Sequence, residues 1–115
     1  MSELRRKRVE SLIRHEIGAL ISLQVIKDPR VDPLAAVTRV VVSKDMHYGK
    51  IFISFYGGQA KLESCVEALN HAAGFVQREL AGRLRLRFTP KLSFYEDPSI
   101  EQGFRVTQKI RELFS

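Results

Sequence analysis

Between Asn70 and Asp97 the sequence NHAAGFVQRELAGRLRLRFTPKLSFYED sets Arg78, Arg83, Arg85, Arg87 and Lys91 behind a step of small residues, Ala72-Ala73-Gly74. A guanidinium is planar and donates two hydrogen bonds at once to a phosphate. Small side chains at a break between helical segments let a polyanion backbone come close, and the amides opening the next helix can hold an anion. The chemistry these residues favour is capture of a phosphate backbone, with Ala72 and Gly74 giving access and Gln77, Arg78, Arg83, Arg85, Arg87 and Lys91 extending the contact. Arg5, Arg6, Lys7 and Arg8, with Arg14, form a second basic cluster. Such contacts position a nucleic acid and do not read its sequence. A plainer reading stands beside this one: Gly74 tolerated within a helix at about 1 kcal/mol relative to Ala, the arginines a solvated face, and Arg5 to Arg8 a frayed helix start.

Other chemistries find little support. His15, His47 and His71 are far apart in sequence, and neither CxxC nor HExxH occurs, so no metal site is expected. GxSxG and the GxxxxGK[ST] phosphate loop are missing. Cys65 lies between Leu62 and Leu69 on the apolar side of a helix, where a free thiol behaves as a small hydrophobe. Glu96-Asp97 before Pro98 reads as a cap. The expectation is a protein without catalytic activity, cofactor or metal.

The 115 residues fit one domain, 1–115, with one hydrophobic core. Lys and Arg number 19 against 13 Asp and Glu, a net charge of +6. That excess points first to nucleic acid and second to an anionic membrane surface. One cysteine allows no intrachain disulfide, which fits a reducing cytosol. The basic start with recurring charges is not a secretory signal, and no run approaches 18 apolar residues.

The elements that position these residues follow from periodicity. Residues 4–25 read as an amphipathic helix with Val9, Leu12, Ile13, Ile17, Leu20 and Ile21 on one face. Asp28-Pro29-Arg30 and Asp32-Pro33 end it in turns. Residues 36–44 and 50–56 are rich in β-branched and aromatic residues and form a hairpin across 45–49. In its second strand Ile51, Ile53 and Phe55 oppose Phe52, Ser54 and Tyr56. Gly57-Gly58 breaks the strand, and residues 60–71 turn helical with Leu62, Val66, Leu69 and Ala73 on one face. The phase runs on through Val76, Leu80 and Leu84, so periodicity demands no break. Length does: an unbroken helix from 59 to 86 would span roughly 42 Å, too long for a chain whose expected radius of gyration is about 13 Å. A kink belongs at Ala72-Ala73-Gly74. Phe75 and Phe94 read as core, and Lys91 to Tyr95 as a third strand. A last helix opens near Pro98-Ser99, with Ile100, Val106, Ile110 and Leu113 apolar; Gly103 weakens its first half. The fold class is α+β, helices on one face of a three-stranded sheet.

The order α-β-β-α-kink-α-β resembles a type II KH domain, in which a GxxG loop between two helices clamps the nucleic-acid backbone. This chain has Ala72-Ala73-Gly74 at that joint, and an Ala-x-Gly kink there resembles the bacterial ribosome-binding factor A family. Further matching residues are Arg5 with Arg8-Val9, Asp28-Pro29-Arg30, Val42-Ser43-Lys44-Asp45 leading into Lys50-Ile51, Arg87, Pro90 through Phe94, Asp97, and Glu101 with Gly103. The resemblance covers nearly the whole chain; Gly49 stands where many members carry Ala, and the tail of some members is absent. It implies a cytoplasmic, monomeric, cold-shock-associated factor that binds 16S rRNA and the free 30S subunit, supports maturation of the rRNA 5′ end, avoids 70S ribosomes and polysomes, and leaves with help from an assembly GTPase. The other reading is a general KH-like module for single-stranded RNA or mRNA.

Overall fold

The computed structural model describes residues 3–86 and 88–97. The helix expected first runs from Glu3 to Ser22 (α1) and buries Val9, Ile13, Ile17, Leu20 and Ile21. Leu12, expected on the same face, is instead 50% exposed. It sits about 100° around the helix from Ile13, outside the narrow stripe that meets the sheet. Gln24 closes the helix in the left-handed region with φ 57°. The Val25 amide then reaches back to the Leu20 carbonyl at 3.0 Å and the Gln24 amide to the Ile21 carbonyl at 3.1 Å. This is the Schellman pattern, with Gln24 where glycine is usual. Two aspartates shape the turns that follow. The Asp28 carboxylate accepts from the Arg30 amide at 2.9 Å and from its guanidinium at 3.0 Å, and the Arg30 side chain holds this carboxyl below its ordinary pKa. The Asp32 carboxylate accepts from the Leu34 amide at 2.8 Å.

Ala36–Val42 (β1) and Tyr48–Ser54 (β2) pair antiparallel, as the short connection requires, with a bulge between Val37 and Arg39. The first strand ends two residues earlier than expected and the second begins two earlier, so Tyr48 and Gly49 belong to β2. In the turn, the Asp45 carboxylate accepts from the Ser43 hydroxyl at 2.6 Å and from the His47 amide at 3.0 Å. Gly58, at φ 109°, takes a conformation that costs residues with a Cβ and starts Gln59–His71 (α2). Ala73–Leu84 (α3) follows, and Lys91–Glu96 (β3) lies parallel to β2 at the edge of the sheet, whose order is β1-β2-β3. A parallel partner needs a long crossover, and α2 with α3 supplies it. All three helices cover one face. There Val40, Val42, Ile51, Ile53, Leu92 and Phe94 meet the apolar stripes of α1, α2 and α3 in one core. Phe94 is 2% exposed, whereas Phe75 is only partly buried. In α2 the core takes Leu62, Cys65, Ala68 and Leu69, with Val66 half-buried. The last helix expected from Pro98 onward lies outside the described residues.

The expected kink is a single residue. Ala72, at φ −89° and ψ 6°, ends α2 and starts α3. Its amide still donates to the Ala68 carbonyl and its carbonyl accepts from the Val76 amide, both at 3.0 Å. Gly74 is therefore already helical and makes no use of a positive φ. The two sides of the kink are fastened to the outer edge of β3. Asn70, in the last turn of α2, donates from Nδ2 to the Phe94 carbonyl at 3.0 Å and accepts from the Phe94 amide at 2.8 Å. Gln77, on α3, accepts from the Leu92 amide at 3.1 Å. Replacing Asn70 with Ala leaves a partly buried donor and acceptor without protein partners. We expect a loss of about 1–3 kcal/mol, read as a lower urea midpoint at unchanged slope. A loss under about 0.5 kcal/mol would show that water serves β3 as well as Asn70 does.

Candidate nucleic-acid interface

The start of α3 sets the geometry. The first hydrogen bond inside α3 is Val76 to Ala72, so the amides of Ala73, Gly74 and Phe75 have no carbonyl within α3 to donate to. Gly74 is exposed. A Cβ built on it would meet only an Arg78 guanidinium nitrogen, 3.6 Å away. Arg78 thus folds back over the opening turn of α3, and its charge lies beside Gly74, which carries no side chain. Ala72 is half-buried and lines an open groove with Val25, Lys27, His71 and Phe75.

The other candidate residues divide by their neighbours. Gln77 is half-buried, its carbonyl oxygen already used by the Leu92 amide. Arg83 ties α3 to α1: its guanidinium lies 3.7 Å from the Glu16 carboxylate and 3.4 Å from that of Glu79. Its charge is offset where it stands. Arg85 is exposed and ends α3 in the left-handed region, φ 50°, turning the chain toward Pro90. Lys91 is exposed at the start of β3, its amide bonded to the His47 carbonyl at 2.8 Å. Arg87 lies outside the described residues.

The second cluster is brought to the same end of the sheet as Lys91. The Glu10 carboxylate accepts from the Val42 amide at 2.7 Å, which anchors the first turns of α1 where β1 ends and where β2 and β3 begin. Arg5, Lys7, Arg8 and Arg14 are exposed there, and Arg6 is half-buried beside Glu3 at 3.4 Å. α3, about 18 Å long for its 12 residues, spans from the kink toward this end, with Arg78 midway.

Cys65 is buried, and burial pushes its thiol pKa up. A thiolate nucleophile needs the opposite shift. Glu96 and Asp97 are taken up in packing: Glu96 accepts from the Gln59 side-chain amide at 2.8 Å, and Asp97 accepts from the Thr38 hydroxyl. Among the described residues no three His, Cys, Asp or Glu side chains gather as a metal would need, and no helix is long and apolar enough to cross a membrane.

The family model described as ribosome-binding factor A matches residues 5–110. The chain belongs to the ribosome-binding factor A family. A family member from Treponema pallidum is 43% identical over 115 residues, covering 100% of this chain and 91% of its own. The crystal structure of ribosome-binding factor A from Thermus thermophilus superposes with a TM-score of 0.65 at 25% identity, covering 79% of this chain and 94% of that one. A homology model of the Thermus thermophilus factor, as fitted into a cryo-electron-microscopy map of a 30S–RbfA complex, superposes with a TM-score of 0.54 at 25% identity, covering 73% of this chain and 90% of that one.

Sequence reasoning missed Asn70, whose bonds to Phe94 hold the kink in place. An amide seven residues before another in a helical stretch is the available signal, but nothing in the sequence names a strand 24 residues on as its partner. It also missed the role of Arg83 as a tie between helices, since Glu16 lies far away in sequence. Because Gly74 is helical, exposed and uncrowded, Gly74→Ala should fold normally, with stability unchanged or raised by up to about 1 kcal/mol. Thermal unfolding checks this; a clear loss of stability would mean that a Cβ is not accommodated at the start of α3.

Proposed function

We propose that this protein is a 30S assembly factor that binds 16S rRNA through the kink between α2 and α3 and the basic end of the sheet. The observation that carries this reading is the corner at Ala72–Gly74, exposed at Gly74, with the Arg78 guanidinium folded over it. An RNA backbone can approach such a corner, and its phosphates meet both backbone amides and a guanidinium. Arg85 and Lys91 continue the contact, with Arg5 to Arg8 and Arg14 at the sheet end; Arg87 is included on sequence grounds. Gln77 and Arg83 serve mainly by fixing α3. Family membership supports the ribosomal partner, as does the likeness to a factor fitted into a 30S complex.

In this reading the protein is a monomeric, cytoplasmic, single-domain factor without catalytic activity. It acts under cold shock, supports maturation of the 16S rRNA 5′ end, associates with free 30S subunits, and is released with help from an assembly GTPase. Contacts to phosphates fix register and orientation, so selectivity rests on rRNA shape.

Arg78→Glu should weaken rRNA binding and lower the magnitude of the salt slope by about 0.7 or more, the share of one phosphate contact on single-stranded RNA. An unchanged slope in a filter-binding titration would remove Arg78 from the site. The cellular test is sedimentation of a lysate through sucrose with the protein detected in each fraction. A peak with free 30S subunits, missing from 70S ribosomes and polysomes, is expected. Protein spread through polysomes would favour a general single-stranded RNA or mRNA-binding module instead.

A further inference from the structure

The face of the sheet turned away from the helices carries its own pattern. Register sets Arg39 opposite Phe52 and Phe52 opposite Tyr95, one row across all three strands. The next rows hold Lys50, and then Tyr48 opposite Lys91. The side chains are in contact. The Phe52 and Tyr95 rings lie 5.8 Å apart at 32°, the Arg39 guanidinium sits 5.8 Å from the Phe52 ring centre, and the Lys50 ammonium sits 6.0 Å from that of Tyr95. Tyr48 is 60% and Tyr95 43% exposed. The carboxylates that follow Tyr95 are both engaged: Glu96 accepts from the Gln59 side-chain amide and Asp97 from the Thr38 hydroxyl.

Exposed rings on a pleated sheet cost free energy in water unless something covers them. Lysine and arginine among them make the surface unsuited to a basic or purely apolar partner and suited to a polyanion that carries flat rings. Unpaired RNA is such a ligand: bases stack on aromatic side chains while phosphates meet the cations, and stacking tolerates any base. Double-stranded RNA does not offer free base faces. We infer that this open sheet face is a second RNA-contacting surface, separate from the kink, where Tyr48, Phe52 and Tyr95 stack unpaired bases and Arg39 and Lys50 hold the intervening phosphates. The inference shares with the preceding reading the premise that the ligand is RNA, but it places a different chemistry on the opposite side of the sheet.

The test is a titration of the full-length protein with an unstructured oligouridylate and with an RNA duplex of equal length. The sequence has three tyrosines and no tryptophan, and two of the three, Tyr48 and Tyr95, lie on this face. Tyrosine emission therefore reports stacking without a label. Single-stranded RNA should quench it, and the duplex should quench it far less. Tyr48→Ala with Tyr95→Ala should weaken single-strand binding, read by filter binding, about tenfold or more. Arg39→Glu with Lys50→Glu, at exposed positions that leave the rings in place, should weaken it comparably, which guards against a folding defect in the tyrosine variant. Arg78→Glu should keep the quenching at saturation. Loss with Arg78→Glu alone would remove this surface and leave the kink reading standing; loss with the sheet variants alone would do the reverse. Binding untouched by every variant would overturn both. A shift from dimer to monomer on changing the tyrosines, with RNA affinity unchanged, would assign the face to a second copy of the chain and overturn the inference.

Discussion

A strand at the edge of a sheet presents backbone donors and acceptors that something must satisfy. β3 is such a strand, and its inner side is spent on β2, through the Lys91 amide to the His47 carbonyl at one end and the Asp97 amide to the Ile53 carbonyl at the other. Its outer side is met by side-chain amides. Asn70 offers Phe94 one donor and one acceptor, as the backbone of a neighbouring strand would, and Gln77 supplies an acceptor to Leu92. The two amides come from opposite sides of Ala72. A straight helix would set positions 70 and 77 about 10.5 Å apart along its axis, whereas Leu92 and Phe94, two residues apart in a strand, are separated by only about 6.6 Å. The need to close the edge of β3 and the need to break the helix are thus the same constraint.

That constraint explains why the kink needs no glycine at its turning point. Ala72 departs from helical geometry by a modest ψ change, keeps its hydrogen bonds to Ala68 and Val76, and is held there from both sides. Gly74 is left with a different property, the lack of a side chain at an exposed position. The cations around it are also sorted. Arg83 is spent between Glu16 and Glu79, fixing α3 on α1. Arg78 remains above Gly74, at the start of the helix that the other arginine anchors.

Much of this was readable from the chain. The stripe Val9, Ile13, Ile17, Leu20, Ile21 and the alternation Ile51, Ile53 specify their elements because one buried face repeats at a fixed period. The kink was reached by length alone, since Leu62, Leu69, Val76 and Leu80 continue in phase across it and all four are buried in the same core. What stayed hidden was non-local. Leu12 lies beside the apolar stripe, but only the sheet and α3 decide how wide that stripe is. The parallel pairing of β3 with β2, the Asn70 bonds to Phe94 and the row Arg39–Phe52–Tyr95 each join segments that no local period connects. The basic clusters were visible as composition; that Glu10 would bring the first to the sheet end where β3 begins was not.

A surface built from amides, guanidiniums and ammonium groups has little means to tell one RNA sequence from another. Rigidity supplies what base readout does not. The kink is pinned at Phe94 and Leu92, the far end of α3 is pinned to α1, and α1 is pinned to Val42, so the distance from the corner at Gly74 to the basic end of the sheet is fixed by packing rather than by ligand. If the surface holds RNA as proposed, an RNA whose phosphates match that spacing would bind without the cost of ordering the protein, and one that must be bent or unfolded to match would not. On that proposal selection is by shape, and the discriminating information lies in the folded state of the RNA: a strand that is still unpaired, or a helix not yet docked, presents a different set of phosphates from the same sequence in its finished form.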